Sequence, residues 1–178
     1  MKRSLAACVA LVTVLLPTVA EARHRRPPAA KLVTGDTTQW GRLGTYCWSW
    51  FDEGESDGTG QCVDAVPSWP RPKRARSEAR TRIRFRVPGC PSSASLTWWE
   101  EIDDDGFPVG EGQSLDARKK PMARDGKVVA CRLLFRLPEH RGHMYLDLFT
   151  TWDEVFRYED GRGGGGDADY TFHLILRP

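Results

Sequence analysis

The apolar positions of this chain fall into three regimes. From Leu5 to Val19 they run almost unbroken, interrupted only by Thr13, Pro17 and Thr18. Over residues 23–44 they keep no period, and the segment opens on arginines and prolines (Arg23-His24-Arg25-Arg26-Pro27-Pro28). From residue 45 onward, short runs rich in Val, Ile, Leu, Phe, Tyr and Trp recur between clusters of Gly, Pro and Asp. Alternation with a period of two marks a strand that buries one face. It predicts strands near 45–51, 61–64, 81–87, 94–102, 127–137, 142–152 and 168–177. In Arg82-Ile83-Arg84-Phe85-Arg86-Val87 the arginines share one face and the apolar residues the other. Cys131, Leu133, Phe135 and Leu137 alternate with Arg132 and Arg136, and Tyr170, Phe172, Leu174 and Leu176 also share a face. About seven short strands with turn signals between them predict an all-β, immunoglobulin-like sandwich over residues 45–178. Prolines at 67, 70, 72, 88, 91, 108, 121 and 138 are read as breaks between strands. Gly163 to Gly166 reads as a mobile tip between the last two strands, since no Lys-Ser/Thr and no helix follow to make it a phosphate loop.

The first regime is a secretory signal. Lys2 and Arg3 form a positive start, the apolar run follows, and Ala20-Glu21-Ala22 supplies small residues where a signal peptidase reads. The run is shorter than the roughly 20 residues a membrane span needs, and no later stretch matches it. The expected division is therefore a signal peptide at 1–22, a flexible basic arm at 23–44 and one sandwich domain, secreted or held at the cell surface, with no membrane span. Leu5-Ala6-Ala7-Cys8 stands at the front of the apolar run, whereas a lipidation box would end it.

Four cysteines follow the signal: Cys47, Cys62, Cys90 and Cys131. An even count in an exported chain implies disulfides, with three possible connectivities. The local pairing, Cys47 with Cys62 and Cys90 with Cys131, is favoured because the first two flank an acidic, Gly-rich turn whose strands can lie side by side. Zinc would want closely spaced cysteine pairs.

The segments Thr45-Tyr46-Cys47-Trp48, Gly60-Gln61-Cys62-Val63-Asp64, Tyr145-Leu146-Asp147-Leu148-Phe149 and Gly166-Asp167-Ala168-Asp169-Tyr170 resemble a group of exported bacterial, actinobacterial-type proteins of unassigned function. Twenty arginines against six lysines, with no asparagine, is the bias of a GC-rich genome and agrees with such a source. The resemblance spans about residues 45–177. It implies an immunoglobulin-like domain with a Cys47–Cys62 bridge, and it implies no activity. The chain departs from the group in its extra pair Cys90 and Cys131 and in an insertion from Asp153 to Gly166.

Charge changes the picture locally. Without the signal the chain holds 24 Lys plus Arg and 23 Asp plus Glu, so no global field calls for a polyanion, and no nucleic-acid motif is present. The charges are segregated, however. Residues 71–86 carry eight basic residues and a single acid, Glu78. If 82–87 and 131–137 are neighbouring strands, Arg82, Arg84, Arg86, Arg132 and Arg136 form one basic face, suited to anionic wall polymers or lipid head groups or merely solvated. Aromatic residues supply a second candidate. Tyr46, Trp48 and Trp50 share a face that, if exposed, would stack sugars or peptide side chains; if buried, it caps the sandwich. Trp98 and Trp99 point to opposite faces, so one enters the core and the other is covered by a loop or exposed.

Other constellations are weaker. Glu101-Ile102-Asp103-Asp104-Asp105-Gly106 imitates the start of a calcium loop but has Gly112 where the closing Glu is required. His140-x-x-His143 lacks further converging ligands. No nucleophile elbow or zinc-protease motif occurs. The expectation is a non-catalytic binding module for cell-wall polymer, carbohydrate or protein, with neither cofactor nor metal. An inhibitor of an extracellular protease, presenting a rigid loop at 103–109, is the alternative, and a hydrolase of unfamiliar type stands third.

Overall fold

The computed structural model describes residues 25–54, 58–87, 89–157 and 161–178, with the side chains of 154 and 155 left aside. The expected signal and its expected cleavage site, Cys8, His24, Pro88 and the centres of the acidic turns at 55–57 and 158–160 lie outside the described residues.

Wherever the chain alternates apolar and polar side chains, it forms a strand. All seven expected strands are present, within a few residues at each end except where the last hairpin is longer. They are β3 (Arg42–Phe51), β4 (Thr59–Val63), β6 (Arg80–Phe85), β7 (Ser93–Trp99), β10 (Lys127–Arg136), β11 (Gly142–Arg157) and β12 (Gly163–Arg177). Five more bring the count among the described residues to twelve rather than about seven: β1 (Lys31–Thr34), β2 (Thr37–Trp40), β5 (Lys73–Arg76), β8 (Gln113–Leu115) and β9 (Arg118–Arg124). These five are short or polar, and their partners rather than their own periodicity hold them extended. Pro121 lies inside β9, where a break was expected; β9 is an edge strand, and an edge tolerates a missing donor.

Two sheets stack as a sandwich. The first has the order β2-β1-β6-β10-β9 and is antiparallel throughout. The second has the order β4-β3-β12-β11-β7-β8, with β5 also pairing β12 in parallel. One apolar cluster lies between them, to which Leu32, Ile83, Phe85, Leu133 and Leu137 contribute from the first sheet's side and Trp48, Leu96, Met144, Leu146, Leu148, Tyr170 and Phe172 from the second's. Trp152 meets Phe85 edge-on across the gap at 5.4 Å.

The segment read as a flexible arm is part of this body from Pro27 on. Leu32 and Thr34 are buried, and the Pro28 carbonyl accepts a 2.6 Å hydrogen bond from the buried Tyr170 hydroxyl. With only four residues in each of β1 and β2, no period was long enough to show in the sequence. The disulfides are Cys47–Cys62 and Cys90–Cys131. The first joins directly opposed residues of β3 and β4. The second ties the β6–β7 connection, which passes between the sheets, to buried Cys131 on β10.

The glycine run is also corrected, from a mobile tip to the beginning of β12. It pairs with β3 on one side and, through Gly163, Gly164 and Gly166, with β11 on the other. Its glycines make room for Trp48. A Cβ on Gly164 would lie 2.8 Å from the Trp48 Nε1, and one on Gly166 would lie 2.1 Å from the Cys47 carbonyl oxygen. The 153–166 insertion is therefore largely an extension of the β11–β12 hairpin.

Candidate anion-binding face

β6 and β10 are neighbours, paired Cys131 to Phe85, Arg132 to Arg84 and Leu133 to Ile83. Because Ile83, Phe85, Cys131 and Leu133 fill the core, the alternate residues face outward. Arg84 and Arg132 thus stand directly opposite each other on the outer surface, with Arg82 beside them and Arg80 opposite Arg136. Of the basic face expected from sequence, these strands bring Arg82, Arg84, Arg132 and Arg136 together, and Arg86 follows the end of β6.

The register continues the row on both sides. Lys31 on β1 is opposite Arg84, and Lys120 on β9 is opposite Arg132. Trp40 on β2 is opposite Lys31 and closes the row. Tryptophan, lysine, two arginines and lysine therefore cross the whole sheet in one line, at the strand spacing of about 4.8 Å. Lys31, Lys120 and Trp40 escaped sequence reasoning because their strands gave no periodic signal.

Composition sharpens the picture. The five strands of this sheet carry one cation in β1, three in β6, four in β9 and three in β10, and no Asp or Glu in any of the five. No carboxylate lies within ion-pair distance of Arg82, Arg84, Arg86, Arg132 or Arg136 among the described residues. Arg136 donates to a backbone carbonyl, that of Glu78. The Nε atoms of Arg84 and Arg132 are buried and have no hydrogen-bond partner. Burial, then the charges of Arg86, Arg132 and Arg82, lower the Arg84 pKa below the usual guanidinium value. A row of like charges with no carboxylate partner is chemically able to hold an anion through its exposed guanidinium and ammonium ends, because Arg forks match carboxylate and phosphate oxygens.

The aromatic candidates fare differently. Tyr46 and Trp48 are buried, Trp48 to 1 % exposure, and Trp50 packs half-buried against the core. Their shared face is the inner face of β3, so Tyr46, Trp48 and Trp50 form no exposed platform. Trp98 points inward, its ring 5.2 Å from the His140 imidazole. Trp99 points outward and is half-buried, in close contact with the chain at Gly112.

The outer face of the second sheet has the opposite character. Asp147 on β11 and Asp169 on β12 line a cleft of about 150 Å³ beneath Ala65, Pro67, Trp69 and Pro108. Burial, then the charge of Asp169, push the Asp147 carboxyl up to about 7, and a backbone hydrogen bond from Leu148 opposes the shift. Its Oδ1 is buried without a partner. Beside the cleft, Tyr145 stacks on His173 at 4.2 Å, and His143 Nδ1 lies 2.8 Å from His173 Nε2. Burial, then His143, lower the His173 pKa. Neither Asp pairing nor the His143–His173 contact was legible, since each depends on the β11–β12 register.

The calcium-like run is a self-contained turn. The Asp103 carboxylate accepts from the backbone N–H groups of Asp105 and Phe107, and Trp69 Nε1 donates to the Gly106 carbonyl. His140 faces Glu100 at 3.4 Å and the His143 carbonyl at 3.1 Å. Among the described residues no three His, Cys, Asp or Glu side chains converge as a metal site, and no helix is long and apolar enough to cross a membrane.

Fold and surface together define a disulfide-linked all-β sandwich with one cationic and one carboxylate-bearing face. Comparison with protein-family models, with curated proteins and with solved structures finds no match for this chain.

Proposed function

We propose that this is an exported, non-catalytic binding protein whose five-stranded sheet docks, outer face down, on an anionic polymer of the cell wall or extracellular space. The observation that carries the reading is the in-register row Lys31–Arg84–Arg132–Lys120 on a sheet without a single carboxylate. Directly opposed like charges destabilise a sheet, so the row has an unfavourable cost in the free protein that an anion would relieve. The signal sequence and two disulfides support an oxidising, extracytoplasmic setting.

The test is co-sedimentation of residues 23–178 with isolated bacterial cell walls across a salt series. Binding should weaken steeply as salt rises, and Arg84→Gln with Arg132→Gln should weaken it at least tenfold at low salt. Binding that is indifferent to salt and to both substitutions would refute the reading.

A second reading, an inhibitor of an extracellular protease, draws on the braced loop at 101–109. It presents Phe107 and Val109 to solvent while Asp103 and Trp69 hold its backbone. Stoichiometric inhibition of a chymotrypsin-type protease, lost on Phe107→Ala, would favour it.

A further inference from the structure

We infer that the polymer is an acidic polysaccharide, with Trp40 stacking a sugar ring while the cationic row holds the acid groups; this rests on the reading just proposed. The first observation is position. Trp40 is not merely near the cations: it is the fifth member of their row, on the edge strand β2 and in register with Lys31. The second is exposure. Six of the seven tryptophans are buried or half-buried, whereas Trp40 is 56 % exposed. It is not a core residue that happens to reach the surface, because its strand neighbour Gln39 supplies the inward contact, donating to the Arg71 and His173 carbonyls.

The third observation is electronic. The Lys31 ammonium lies 5.3 Å from the Trp40 ring centroid. It braces one face of the indole by cation–π attraction and puts a positive charge beside the ring. An aromatic plane recognises a ligand with apolar C–H faces, which a pyranose ring offers and a bare phosphate chain does not. The four cations then span about 14 Å along the line leading from the ring, a track for acid groups on successive sugars. A lipid surface would instead favour several exposed apolar side chains among the cations. Val33 and Leu134, the apolar residues of the neighbouring row, are half-buried, and besides Trp40 the one large apolar side chain exposed on the described strands of this sheet is Val129, near the start of β10.

The experiment compares polygalacturonate with inorganic polyphosphate of matched charge, by calorimetry at low salt, on the chain from residue 23. Trp40→Ala should weaken polygalacturonate binding at least tenfold and polyphosphate binding less than twofold, with Trp40→Phe restoring most of the loss. Arg84→Gln with Arg132→Gln should weaken both. Equal effects of Trp40→Ala on the two polymers, or none on either, would overturn the glycan assignment while leaving the anion-binding face standing. Tighter binding to phosphatidylserine vesicles than to polygalacturonate would overturn it in favour of a membrane. Failure of the wild-type protein to bind any of the three would refute the anion-binding reading itself. Unchanged melting of Trp40→Ala keeps a folding defect apart from a binding defect.

Discussion

Asp147 is the side chain whose chemistry is least at ease in this fold. Its folded-state pKa lies above the unfolded one, so the folded protein binds the extra proton and its stability falls as pH rises between about 4 and 7. Below the unfolded value the contribution is fully present, and above 7 it is gone. Asp147→Asn should therefore raise stability at pH 7.5 by about 1–3 kcal/mol and remove that slope, as denaturant melts of both proteins across pH 4–8 would show. Glycines make the complementary point. Gly166→Ala adds a Cβ 2.1 Å from a carbonyl oxygen at φ +132°, whereas Gly35 at φ +53° has open space around it. The first should lower stability by about 3 kcal/mol or more and the second by about 1–2 kcal/mol, measured as unfolding free energies.

At the scale of elements, the two disulfides differ in what they restrain. Cys47–Cys62 closes 15 residues between adjacent strands, and Cys90–Cys131 closes 41 and ties an inter-sheet connection to the core. The chain-entropy account gives about 3 and about 4 kcal/mol, so Cys90→Ala with Cys131→Ala should lower the midpoint more than the Cys47/Cys62 double variant. Strand legibility followed the same logic of length and company. β6, β10 and β12 repeat their alternation three times or more, and the sequence alone located them and their inward residues. Lys73-Arg74-Ala75-Arg76 and Arg118-Lys119-Lys120-Pro121 carry no such pattern, because one buried alanine or a pairing partner is all that makes them strands. The arginine row was readable within its two strands, but its extension to Lys31, Lys120 and Trp40 was not. The Tyr46, Trp48 and Trp50 row was readable as a face, while burial decided which face it was.

For the whole molecule, the near balance of charge conceals a division between two sides. The five-stranded sheet is wholly basic, and the other sheet's outer surface carries Asp147, Asp167 and Asp169. The basic side makes a measurable trade: Arg84→Gln with Arg132→Gln should stabilise the free protein by about 0.2–1 kcal/mol, even as it removes polymer binding. Added salt should stabilise the wild type more than this variant, because it screens the same repulsion. A rise in melting temperature together with lost binding would mark the row as kept for contact rather than for folding.

The position of β12 has a further consequence, for the order in which the protein can be made. β3 is complete by residue 51, yet its partner on the inner side lies at residues 163–171, and β5 likewise awaits residues 174–177. The central strand of the larger sheet is thus translated after every strand it joins. Until it arrives, the β4–β3 pair and the β11–β7–β8 group cannot be joined into one sheet, and Trp48 has no glycine socket. The two sheets therefore mature at different times: the five-stranded one has all its strands by residue 136, while the larger one waits for residues 163–177 to knit its parts together.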